Sequence, residues 1–244
     1  SPAPTTGGLN DLVKQAAQTE AELKENLDTP LTLPFPIRLG VLFFNYSPTI
    51  QPEDQQTALA TMRQDLIATG QVKTMVKIPS TLVGPNDSLE TIRRLVSRFG
   101  VDTVLIVSGT HDFQRSDSQS TGFFDGFSNK ANYEARTTLT ALGMNVLTGR
   151  FMAPLTAVGK VGPETLNPDE GNFSGKRYEL QKGAELMAMT ELKTQFAAAL
   201  KLIDSAPAPE ASPAASPTPE PTPEPEATQE AEATAEAEAT SAAS

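Results

Sequence analysis

Apolar positions along this chain follow two rhythms. Residues 37–45 are apolar at nearly every position (Ile37, Leu39, Val41, Leu42, Phe43 and Phe44 around Gly40), and residues 101–108 repeat the pattern around Val104-Leu105-Ile106-Val107. Continuous runs of this length suit strands buried on both faces. Residues 72–78 alternate instead, with Val72, Thr74, Val76 and Ile78 on one side, as a strand requires. Between these runs the spacing changes to three and four. Residues 9–27 place Leu9, Leu12, Val13, Ala16, Ala17 and Leu23 near one helical face, with Asn10 or Asp11 as cap. A second helix opens on Pro52-Glu53-Asp54, runs through Leu59, Met62, Leu66 and Ile67, and closes at Gly70. A third carries Leu89, Ile92, Leu95, Val96 and Phe99 between an Asp87 or Ser88 cap and Gly100. Residues 28–36, with Pro30, Pro34 and Pro36, are extended. The order αβαβαβ predicts a parallel or mixed sheet with helices against it.

After residue 108 the pattern changes. Residues 109–130 are polar and rich in Gly and Ser, apart from Phe123, Phe124 and Phe127, and read as a connector. Residues 133–146 and 151–161 are extended and joined by Leu147-Thr148-Gly149-Arg150, a hairpin signal. Residues 162–175, with Pro163, Pro168 and several glycines, read as a loop. A long helix over 178–203 carries Leu186, Met189, Leu192, Phe196, Leu200 and Ile203 in one stripe. The expected fold is therefore α/β (α+β): a mixed sheet of about five strands with an antiparallel hairpin, helices packed on it, and a disordered C-terminal tail.

Composition sharpens the boundaries. Residues 205–244 contain eight of the 30 acidic residues and no Lys, Arg, aromatic, Leu, Ile or Val. The remainder holds 22 acids against 19 bases, so the net charge of −11 belongs mainly to this Pro/Ala/Glu segment. Such a composition cannot bury enough apolar surface to offset ordering, and reads as a disordered acidic tail. Its first half is stiffened by polyproline-II segments, and its Ala/Glu-rich second half has no apolar face to dock. The expected organisation is a flexible lead-in over 1–8, one domain over 9–204 and the tail over 205–244. No basic stripe exists for nucleic acid. The chain has no cysteine, which excludes disulfides, a Cys-based zinc site and a thiol nucleophile. Ser1-Pro2-Ala3-Pro4-Thr5-Thr6-Gly7-Gly8 reads as a trimmed start, before which a secretory signal or lipid-bearing Cys is expected.

Three motifs in order, Arg38-Leu39-Gly40-Val41-Leu42-Phe43, Ile78-Pro79-Ser80 and Phe99-Gly100-Val101-Asp102, followed by a hydrophobic strand and a hairpin turning at Thr148-Gly149, carry a family likeness. Over about residues 37–203 the chain resembles the bacterial rhombotarget lipoproteins. More loosely, it is similar to the α/β domain at the amino end of TolB-type and penicillin-binding-protein-activator lipoproteins. The resemblance implies an exported envelope protein in the periplasm or outer envelope, anchored by lipid at an amino-terminal Cys, with no catalytic residues to transfer. The chain lacks that Cys, and its Pro/Ala/Glu end differs from the hydrophobic sorting segment that ends rhombotarget proteins.

Tests for chemistry find little. His111 is the single histidine, next to Asp112 at a strand end, where ligands often meet α/β sheets; one imidazole without a cluster is a poor metal set. Gly171-Asn172-Phe173-Ser174-Gly175-Lys176-Arg177 has the wrong spacing for a phosphate loop, and Arg177 stands where Ser or Thr would hold Mg²⁺. Asp112, Asp117 and Asp125 lack calcium-loop spacing, and no Gly-x-Ser-x-Gly occurs. No catalytic, metal or cofactor-binding residue is assigned, and no cofactor is expected. Phe123, Phe124 and Phe127 either fold back over the sheet or form an apolar surface for a partner. The expectation is a non-catalytic cell-envelope lipoprotein domain that binds an envelope protein or organises an assembly, touching membrane only through an anchor before Ser1. The alternative is a small-molecule-binding or enzymatic domain using the C-terminal ends of strands 37–45 and 101–108.

Overall fold

A computed structural model describes residues 31–116 and 130–206 of the 244-residue chain. The lead-in 1–8, the helix expected over 9–27, the segment with Phe123, Phe124 and Phe127, and the tail beyond Ala206 lie outside the described residues.

The described chain forms strands β1 (Ile37–Phe43), β2 (Val72–Ile78), β3 (Thr103–Ser116), β4 (Ala131–Asn145) and β5 (Leu155–Leu166), with helices α1 (Pro52–Ala68), α2 (Leu89–Ser97) and α3 (Phe173–Ser205). The five strands make one mixed sheet in the order β2-β1-β3-β4-β5. β1 pairs in parallel with β2 and β3, whereas β3–β4 and β4–β5 are antiparallel. This is the mixed sheet with a hairpin that the apolar pattern predicts.

Alternation within β1 divides the core. Ile37, Leu39, Val41 and Phe43 join the apolar faces of α1 and α3, including Leu66, Leu192, Phe196 and Leu200. Leu42 and Phe44 face the other way, where Ile78, Val104, Ile106 and Met144 pack against Leu89, Ile92 and Val96 of α2. A strand covered on both sides has no solvent face to make polar, which is why its run is continuous. The helix ends follow the expected chemistry. Glu53 and Asp54 occupy the first turn of α1 behind Pro52. Ser88 caps α2 by accepting from the Thr91 N–H at 3.2 Å, while Asp87 takes the Gly84 N–H at 2.7 Å. Gly70 and Gly100 adopt φ of 81° and 65°, the left-handed exits that glycine supplies after a helix.

Three boundaries differ from expectation. β3 continues to Ser116, through residues read as connector. There it pairs only with β4, and one face is open, so Thr110, Asp112 and Gln114 are exposed while His111 and Phe113 are partly covered. A solvated face makes half the positions polar and hides the strand. β5 likewise runs through Gly162-Pro163 to Leu166, with these two residues opposite Glu134 as a bulge. Edge position lets the strand tolerate a proline without losing a ladder bond on both sides. Finally, α3 starts at Phe173, five residues earlier than expected. Phe173 there meets Phe113 and Tyr133, which stack at 5.3 Å, so an aromatic cluster fixes the first turn despite Gly175.

Candidate functional site

The C-terminal end of β1 meets the middle of the longer β3, where α/β folds commonly place ligands. The chain leaves β1 and turns at Asn45, whose φ is 47°, a left-handed conformation that asparagine tolerates. This turn brings Tyr46 back onto Phe43, with rings stacked at 5.1 Å, and against His111 at 5.4 Å. From the helical side, α3 lowers Glu185 into the same space, with 0% of the residue exposed. The Tyr46 hydroxyl donates to Glu185 Oε1. Glu185 Oε2 accepts from the Thr49 backbone N–H at 2.8 Å and from Thr49 Oγ1 at 2.6 Å. His111 Nδ1 lies 3.0 Å from Thr137 Oγ1, its cross-strand neighbour, and 3.9 Å from Glu185 Oε2. His111 Nε2 is buried without a hydrogen-bond partner.

The electrostatics of this cluster favour holding over reacting. Burial, and then the Glu185 carboxylate, push the Tyr46 phenol well above the usual tyrosine range. Tyr46 therefore stays a proton donor, and the oxygens of Glu185 are already engaged. Two further residues on the same stripe of α3 complete a brace. Tyr178 accepts from the Gln51 N–H at 3.1 Å and donates to Asp54 Oδ2 at 3.0 Å, and Lys182 Nζ lies 2.9 Å from that same oxygen. Tyr178, Lys182 and Glu185, at i, i+4 and i+7, thus pin the β1–α1 connection and the start of α1 to α3.

The sequence-predicted residues fare unequally. His111 joins the cluster; Asp112 does not, because neighbouring residues on a strand face opposite sides and Asp112 is exposed on the other face. His111 and Asp112 therefore do not share one face of the sheet. Phe123, Phe124 and Phe127 lie outside the described residues. Among the described residues, no three His, Cys, Asp or Glu side chains gather to hold a metal ion. The residues running from Gly171 to Arg177 lead into and form the first turns of α3, and Arg177 covers the Phe113 ring at 5.0 Å. Glu185, Tyr46 and Thr49 are absent from the sequence reading. Glu185 did leave a signal: it sits four residues before Met189 and seven before Leu192, in line with the apolar stripe.

At the opposite end of the parallel strands, Arg38 and Asp102 come together. Asp102 accepts from the Arg38 backbone N–H at 2.9 Å and from its guanidinium, with a shortest distance of 2.6 Å. The Asp102 N–H in turn bonds the Arg38 carbonyl at 2.8 Å. Gly40 lies where an added Cβ would be 3.2 Å from Val101 and 3.3 Å from Ile78. The Arg38–Asp102 pair and the close packing of Gly40 on Val101 and Ile78 thus tie β1 to β2 and to the α2–β3 turn. The hydrogen-bonded Arg38 guanidinium holds the Asp102 carboxyl below the ordinary 3.8. A lowered carboxyl value contributes stability above the unfolded value, and that contribution is lost as pH falls through the folded one. Asp102→Asn is expected to lower Tm by a few degrees at pH 7. The gap between variant and wild type should narrow and close as pH falls through the lowered folded value of Asp102, in thermal melts followed by circular dichroism.

Beside the Arg38–Asp102 pair lies a groove of about 840 Å³. Its walls are α2, the turn from Asn145 to Thr148, and the incoming chain at Leu33 and Pro34. Asn145 organises the turn: its Oδ1 accepts from Leu147 and Thr148 N–H groups, and its Nδ2 donates to the Thr32 carbonyl at 3.1 Å.

No family model matches the chain, and no curated protein matches it. Among solved structures, it is similar to a minor lipoprotein from Acinetobacter baumannii, at 14% identity over 66% of this chain and 92% of the other, with TM-score 0.39. It is also similar to a protein from Xanthomonas campestris, at 14% identity over 72% and 91%, TM-score 0.34. A lipoprotein from Neisseria meningitidis matches at 14% identity over 57% and 91%, TM-score 0.29.

Proposed function

We propose that this chain is the globular part of an exported bacterial envelope lipoprotein, and that it binds or assembles with an envelope protein rather than catalysing a reaction. The observation that carries the non-catalytic part is the engagement of Glu185. At the strand ends, where a reactive group would sit, the buried carboxylate is occupied by three donors from Tyr46 and Thr49. A base whose lone pairs are held by its own fold is a brace. The envelope part rests on the motif order around Arg38, Ile78 and Asp102 along the chain.

The test is a detergent phase partition of the native protein taken from its own cells, followed by capture from envelope extracts. A lipid-bearing form is expected to enter the detergent phase, while residues 1–244 alone stay in the aqueous phase. Capture is expected to retain a discrete envelope protein. A native protein that stays aqueous would refute the lipoprotein reading. Capture that retains nothing would refute the binding role.

A further inference from the structure

Among the described residues the sheet has two outer strands, β2 and β5. Each turns one row of backbone N–H and C=O groups away from its single neighbouring strand, and an open row of this kind is a template for pairing. Both edges also expose a valine: Val76 is 39% exposed and Val158 40%. The two valines share one side of the sheet. Val76 alternates with Met75, which packs in the α1–α3 core, and Val158 with Gly159, which lies against α3. Both therefore point to the α2 side.

Charge separates the two edges. On the α1–α3 side, β2 presents Lys73 and Lys77, both exposed. Lys77 bonds the neutral Gln55 amide at 2.8 Å, and neither lysine enters an ion pair among the described residues. On that same side β5 is bordered by α3, whose Met187 and Glu191 line one groove with Val158. Glu191 accepts from Gln195 Nε2 at 2.8 Å, and that nitrogen also reaches the Thr156 carbonyl of β5 at 3.1 Å. Glu191 thus stands beside the β5 edge, and it too is outside the ion pairs of the described residues.

We propose that β5 of one copy of this chain accepts β2 of the next copy as a parallel strand, so that the sheet continues from copy to copy. Direction permits it. β1 is parallel to β2 and β3, and two antiparallel steps follow, so β2 and β5 run the same way. Length permits it as well, because β2 has seven residues and β5 is regular from Leu155 to Val161, before the Gly162-Pro163 bulge. With Val76 set against Val158, apolar surface meets apolar surface on the α2 side, and Lys73 and Lys77 approach Glu191 on the other. Joining two β2 edges would oppose lysines to lysines, and joining two β5 edges would oppose Glu191 to its copy; like charges across strands destabilise. A contact between unlike edges leaves one edge of each kind free, so it builds a ring or a filament. The inference concerns the chain's own edges and does not rest on the envelope reading. The purified full chain tests it without any extract, so either can fail while the other stands.

The native chain has no cysteine, so single cysteines report the contact without background. Full chains carrying Val76→Cys and Val158→Cys are mixed in equal amounts and treated with a short bis-maleimide, and the linked peptides are read by mass. The mixed 76–158 product is expected to exceed either like-with-like product about tenfold, and sedimentation of the wild-type chain to show masses beyond two copies as concentration rises. Glu191→Lys is expected to weaken this association on the order of tenfold, and adding Lys73→Glu with Lys77→Glu to recover it. Like-with-like products in excess, a chain that stays single at every concentration, or association unchanged by Glu191→Lys would overturn the proposal. Thermal melts of each variant confirm that the fold is intact.

Discussion

Replacing Gly159 with alanine is expected to destabilise the domain by about 3 kcal/mol or more, and valine at this position to prevent cooperative folding. Gly159 lies on β5 where α3 crosses the sheet. A Cβ added there would sit 1.9 Å from the Ala184 carbonyl oxygen and 2.6 Å from the Ala188 nitrogen. Both are backbone atoms of α3, so no rotamer change relieves the clash; the helix must lift or the strand must bend. Ala184 and Ala188 are themselves fully buried, so lifting α3 would loosen the packing of Leu192, Phe196 and Leu200 behind them. The measurement is urea unfolding followed by circular dichroism. Ala188→Gly in the Gly159→Ala background should restore nothing, because the obstacle is main chain. Full recovery in that double variant would show that side-chain crowding was the cause.

Glu185→Leu is expected to cost about 3–5 kcal/mol, the range for removing one partner from a buried polar set. Three donors would be stranded: the Tyr46 hydroxyl, the Thr49 N–H and the Thr49 hydroxyl. Each buried donor left without an acceptor carries a penalty of about 1–3 kcal/mol. Glu185→Gln should lose less, since the amide oxygen still accepts, though its NH₂ group faces a donor. Adding Tyr46→Phe to Glu185→Leu removes one stranded hydroxyl and should recover about 1 kcal/mol or more. Denaturation curves for the two singles and the double form a mutant cycle. Strictly additive losses would mean that the two side chains do not act together, contrary to the geometry.

How much of this was legible in the chain differs from element to element. The strands at residues 37–45 and 101–108 showed themselves because both faces are buried, leaving no polar positions to interrupt the run. Ser88, Gly70 and Gly100 marked helix ends through local chemistry that depends on few neighbours. The far half of β3 was hidden because its solvent face is polar, and the end of β5 because Pro163 is tolerated only at an edge. Edge position is a property of the sheet and is not written in the residue. Glu185 was hidden for a related reason. On an isolated helix it is an ordinary acid in an apolar stripe, and only the arrival of Tyr46 and Thr49 turns it into a buried acceptor.

The sequence by itself thus determined the order of elements, the mixed sheet with its hairpin, the contrast between a nearly charge-balanced domain and an acidic tail, and the motif positions around Arg38, Ile78 and Asp102. Those properties follow from hydrophobic periodicity, capping and composition, all local quantities. Tertiary structure alone decided that Arg38 pairs with Asp102, that His111 and Asp112 face opposite sides of the sheet, and that Glu185 braces the β1–α1 connection. It also decided that Gly159 must lack a side chain and that Leu147 stands exposed over a groove. Each depends on which residues distant in the chain meet at a few ångströms, and that proximity is set by the packing of α3 and α2 on the sheet rather than by any neighbour in sequence.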